Sequence, residues 1–92
     1  MTHASDPDAF ARRRTEARNQ LVADECAALM GDPTFRRCAW AAVRAVAAAV
    51  GLTPTLFSAA LRQGLFPPTW GLGARVRRLA LTTYRRAHQV AA

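Results

Sequence analysis

Three pairs of a capping residue followed by proline divide this chain into helices before any hydrophobic pattern is considered. They are Asp6-Pro7, Asp32-Pro33 and Thr53-Pro54. In each pair the side-chain oxygen can accept hydrogen bonds from the unpaired amides of a first helical turn. Proline at the first helical position sacrifices no bond. Glycines then stand where helices so begun should stop, at Gly31, Gly51 and Gly64, because Gly closes a helix in the left-handed conformation without strain. The punctuation predicts helices near residues 7–30, 33–50, 54–63 and 72–90. The expected fold class is all-α, a small bundle of about four helices forming a single domain over residues 1–92, with residues 1–12 loose or frayed.

Periodicity assigns faces to these helices. The first carries its apolar residues late, at Leu21, Val22, Cys26, Leu29 and Met30, with Phe10 the lone anchor of its early turns. In the second, Phe35, Ala39, Ala42, Val43, Val46 and Val50 recur at helical spacing and are expected to be buried. In the third, Leu56, Phe57, Ala60 and Leu61 are expected to face inward. Pro67 and Pro68 forbid a helix through the next stretch, which reads as a rigid turn pressing Phe66, and Trp70 with it, onto the core. In the fourth, Leu72, Val76, Leu79, Thr83, Ala87 and Val90 form the expected inner stripe. That leaves Leu81, Tyr84 and His88 on an outer face beside Arg77, Arg78 and Arg85. This face is either a protein interface or the seat of the first helix, which would bring acids to the arginines. Alanine supplies much of the apolar content, so close helix approach and a modest core are expected.

Charge narrows the classes of partner. All 13 basic residues are arginine, against 6 acids, for a net charge of +7. GC-rich coding accounts for Arg together with Ala, but not for the distribution. Residues 1–32 hold every acid and four arginines, while residues 33–92 hold nine arginines and no acid. Such asymmetry points to an acidic partner, or to an acidic helix folding back on basic ones. Arg36, Arg37, Arg44, Arg75, Arg77, Arg78 and Arg85 are the candidate contacts to nucleic acid or an acidic protein. Trp40 shares a helical row with Arg36 and Arg44. It is either half-buried under arginine stems or a stacking surface, and it joins Leu81, Tyr84 and His88 as a candidate protein-interface residue.

Reactive groups are sparse. The histidines, His3 and His88, lie at opposite ends, and Asp24-Glu25 point about 100° apart on a helix. Cys26 and Cys38 fit no zinc pattern and read as core thiols. No cofactor, metal, small-molecule substrate or enzymatic activity is expected. The opening residues lack a signal segment, and the apolar window from Ala45 to Leu61 is broken by Gly51 and Pro54. The expected setting is a reducing, cytoplasm-like compartment or a virion, neither secreted nor membrane-spanning. No helix–turn–helix signature stands out, although the second and third helices could be forced into one with Gly51-Leu52 as its turn. The third helix, however, offers only Thr55, Ser58, Arg62 and Gln63 for reading base edges, which argues against sequence-specific recognition.

The stretch Asp32-Pro-Thr-Phe-Arg-Arg-Cys-Ala-Trp40, with Phe57, Gly73-Ala74-Arg75, Leu79 and Leu81, resembles a family of small helical proteins of tailed bacteriophages and prophages. Members are encoded among head and tail assembly genes. The resemblance spans about residues 29–84, with Phe35 and Arg78 standing where the family has Gly. It implies a non-enzymatic virion or assembly role, docking on a protein partner or forming a homo-oligomer. A small basic DNA-binding or DNA-associated regulator is the alternative, and an inhibitor or anti-defence protein that masks a partner surface is the second.

Overall fold

The computed structural model describes residues 6 to 91. His3 lies outside them, and so does the side chain of Val90. Four α-helices follow one another: α1 (Pro7–Leu29), α2 (Pro33–Ala49), α3 (Pro54–Arg62) and α4 (Leu72–Ala91), with a single 3-10 turn at Pro68–Trp70. Every regular element among the described residues is helical.

The helix starts are those the capping pairs announce. Asp6 Oδ1 accepts from the amides of Asp8 at 3.0 Å and Ala9 at 3.3 Å. Asp32 Oδ1 accepts from Thr34 at 2.9 Å, and Thr53 Oγ1 from Leu56 at 3.3 Å. Gly51 and Gly64 close their helices with positive φ, but Gly31 does not. At the end of α1 the Arg36 guanidinium donates to the carbonyl of Met30 at 2.7 Å, and the Asp32 amide donates to that of Leu29 at 2.9 Å. A cation on these last carbonyls satisfies orphan acceptors and complements the helix dipole.

Helix α2 packs along α4, with the start of α2 against the late turns of α4. Phe35 meets Tyr84 edge to face, with ring centroids 5.5 Å apart. The Tyr84 hydroxyl donates to Asp32, so one carboxylate both caps α2 and ties it to α4. The core gathers Cys26, Phe35, Ala42, Val46, Ala47, Phe57, Leu72, Val76, Ala80 and Leu81. Helix α1 lies over α4 through Cys26, with Val22 and Leu29 partly covered. No described residue before Cys26 is buried, and Phe10 is exposed instead of anchoring the early turns, which are nonetheless helical from Pro7.

Helix α4 is turned relative to the stripe expected from its sequence. Leu81 is 2% exposed and Tyr84 is half-buried, whereas Leu79 is 37% exposed, and Thr83 and Ala87 face solvent. Leu81 and Tyr84 are therefore core residues and not an outer docking face. The ladder Leu72, Val76, Ala80 and Tyr84 sets the orientation, with Leu81 beside it. Small Ala80 allows close approach, and the Asp32 bond fixes Tyr84. Leu56 is corrected in the same way, lying outside at 61% exposure while Phe57 is buried.

Leu81→Ala should cost about 2–5 kcal/mol in urea unfolding, and Leu79→Ala less than about 1 kcal/mol. The sequence-based stripe requires the reverse order. The Tyr84 hydroxyl, followed by the Thr34 amide, holds the Asp32 carboxyl below its ordinary value of 3.8. Its contribution to stability is thus present above pH 3.8 and is lost as pH falls through the lowered value. The urea midpoint should drop across that acid window in wild type and respond less in Tyr84→Phe.

Candidate nucleic-acid interface

The joint between α2 and α3 is built by hydrogen bonds local to it. The Leu52 amide donates to Ala47 at 3.0 Å, and the Gly51 amide to Ala48 at 3.2 Å. That bonding pattern is a Schellman closure, which requires the left-handed backbone Gly51 supplies at φ 79°. Thr53 then caps α3 directly, leaving four residues, Val50 to Thr53, between the helices. The axes of α2 and α3 meet at 97°. Two helices crossing near 90–120° through a three- or four-residue turn containing Gly have the form of a helix–turn–helix.

Burial fixes which way α3 faces. Phe57 is fully buried, Leu61 packs against the core, and Ala60 is partly covered. Phe66 backs onto Phe57 with centroids 5.4 Å apart, and Trp70 onto Phe66 at 6.0 Å. The proline turn thus seats Phe66 on the core as expected, while Trp70 stays largely exposed. A second Schellman closure ends α3, with the Leu65 amide donating to Ala60 at 3.0 Å and that of Gly64 to Leu61 at 3.2 Å. The opposite face of α3 presents Thr55, Leu56, Arg62 and Gln63, with half-exposed Ala59 among them.

The candidate arginines fall into two groups. Arg36, Arg37 and Arg44 share a shallow surface of α2 with Pro33 and with Trp40, which is 45% exposed. Arg36 is engaged with the α1 carbonyl, and Arg37 donates to Thr34 Oγ1 at 3.3 Å. On α4, Arg75, Arg77 and Arg78 are exposed. Arg77 lines a depression of about 290 Å³ with Asn19, Phe66 and the first residues of α4. Arg78 donates to Asn19 at 3.2 Å, and Arg85 pairs with Glu25 at 2.7 Å. Helix α1 therefore brings one of its acids, Glu25, to an α4 arginine, although an exposed pair of this kind contributes little. His88 is exposed and sits edge to face on Tyr84 at 4.2 Å, so it extends the Asp32–Tyr84 contact.

Burial raises the Cys26 thiol above its usual range, with Arg77 opposing the shift, and its Sγ lies 3.7 Å from the Arg77 carbonyl. Cys38 is half-buried. Among the described residues no group of His, Cys, Asp and Glu could hold a metal ion, and no single helix is long and apolar enough to cross a membrane.

The sequence contains a trace of this joint that periodicity alone passes over. Ala47 is fully buried, Gly51 follows four residues later, and Phe57 is buried ten residues after Ala47. In this fold the three residues flank the turn, with the small one at the end of α2 and the large one anchoring α3. Neither a family model, nor a curated protein, nor a solved structure matches the chain.

The joint depends on Gly51. A Cβ there would meet nothing within 4 Å, so Gly51→Ala should cost only the backbone strain, about 1–2 kcal/mol. In thermal unfolding of a domain this size, that is a fall of at least about 4 °C.

Proposed function

We propose that this protein is a small, non-enzymatic, basic DNA-binding protein that lays α3 of a helix–turn–helix against duplex DNA. The observation that carries this reading is the 97° joint between α2 and α3 across a four-residue turn with a left-handed glycine. Charge adds support, because the stretch containing α2, α3 and α4 carries nine arginines and no acid. Of the acids on the other side of the ledger, Asp6 and Asp32 are occupied as caps and Glu25 in an ion pair. Arginine forks can neutralise phosphates along both edges of a groove, a sequence-independent contribution that positions the protein.

A second reading rests on the surface of α2. Trp40 among Pro33, Arg36, Arg37 and Arg44 has the makings of a protein-docking face. It suits the phage-type assembly role that the resemblance implies, with Trp40 replacing Leu81 and Tyr84 as its anchor.

Fluorescence anisotropy with labelled duplex DNA, titrated from low to physiological salt, separates the two. The logarithm of affinity should fall linearly with the logarithm of salt concentration. An Arg44→Glu/Arg62→Glu/Arg75→Glu variant of unchanged helicity should lose affinity and flatten the slope by about one per phosphate contact removed. Binding that vanishes by physiological salt, or that ignores the substitutions, would count against DNA. Self-association abolished by Trp40→Ser would then put the assembly role first.

A further inference from the structure

The outward face of α3 is not uniformly polar. Residues turn 100° apart on a helix, so Leu56, Ala59 and Gln63 line up, flanked by Thr55 and Arg62, in an arc about 120° wide. Its first turn is apolar, with Leu56 61% exposed beside Thr55 and small Ala59 following. Its last turn holds the hydrogen-bonding heads of Arg62 and Gln63. Phe57 and Leu61 already serve the core from the other side, and Leu56 is not among the described side chains packed against it. Ala59 at the middle of the arc leaves room for the helix backbone to come close to a surface.

With Leu56 turned outward, against the expectation that α3 has too little to read bases with, we infer that α3 reads sequence by a two-part code in the major groove: Leu56, with the Thr55 methyl, contacts thymine methyl groups, and Arg62 donates to guanine. The inference rests on the DNA-binding reading and adds the class of site to it. Major-groove edges offer two features that match this face, the apolar C5-methyl of thymine and the paired N7 and O6 acceptors of guanine. Leu56 and Arg62 are six residues apart, about 9 Å along the helix axis. That separation spans two to three base-pair steps of about 3.4 Å. The preferred site therefore contains a thymine two to three steps from a guanine. Charge complementarity commits the face to duplex DNA, since an apolar patch within an acid-free, arginine-bearing stretch suits a polyanion that carries methyl groups.

The test selects duplexes from a random-core pool with the full chain at physiological salt, then rebuilds the winning duplex with deoxyuridine at its thymines. Removing each contacted methyl should weaken wild-type binding about four-fold, the worth of one buried methyl. Leu56→Ala should bind the thymine and uracil duplexes alike. Arg62→Ala should lose about ten-fold and relax the preference at the guanine. Circular dichroism of both variants confirms that they remain helical, which their exposed positions favour. If duplexes bind with a steep salt slope but none is enriched, or uracil binds as well as thymine, the code is wrong while DNA binding stands. If no duplex binds at any salt, both readings fall.

Discussion

The carboxylate of Asp32 is the point on which the arrangement of helices turns. One oxygen caps α2 and the other receives the Tyr84 hydroxyl, so the start of α2 and the late turns of α4 are held together by a single side chain. Phe35 lies against Tyr84 beside this tie and extends it into the core. With these two helices fixed, alanines set how closely the rest can approach. Ala42, Ala47 and Ala80 are all buried, and the few large buried side chains, Phe35, Phe57, Leu81 and Val46, fill the space that remains. A small core of this kind gains from exact placement more than from volume, because each buried side chain represents a large share of a thin margin.

Much of this was legible in the sequence, and what was not has a common physical cause. Helix boundaries were readable because Asp6, Asp32 and Thr53 act on amides two or three residues away, a local chemistry that leaves local marks. The inner face of α4 was not. Apolar residues occur all round that helix, at Leu72, Val76, Leu79, Leu81 and Tyr84, so two stripes fit the periodicity about equally. Ala80 and Tyr84 decide between them, and Tyr84 does so through Asp32, 52 residues away. Leu56 was misplaced for a related reason. A nine-residue helix has too few turns for its pattern to show which of two adjacent apolar residues is turned inward. The candidate site was legible in its charge and in its glycine turn, but the 97° angle that gives them a joint meaning depends on how α3 packs.

The arginines illustrate how position alters what a residue type implies. By count they form one basic set. In the fold, Arg36 closes α1, Arg78 reaches Asn19 and Arg85 pairs with Glu25, so part of the set already has partners within the chain. Arg44, Arg62 and Arg75 stand exposed on three different helices. An account of binding that counted charges alone would credit the first group with work it does elsewhere.

The unopposed arginines of α2, α3 and α4 give the molecule a permanent electrical direction. All six acids lie in the first 32 residues, and the helices beyond carry only positive charge. In the field of a polyanion such a body experiences a torque as well as a pull. It turns during approach, before any contact forms, so that α1, whose arginines are balanced by acids, trails and the acid-free helices lead. Random encounters are thereby converted into oriented ones, an advantage in rate that operates over roughly a Debye length and fades as salt rises.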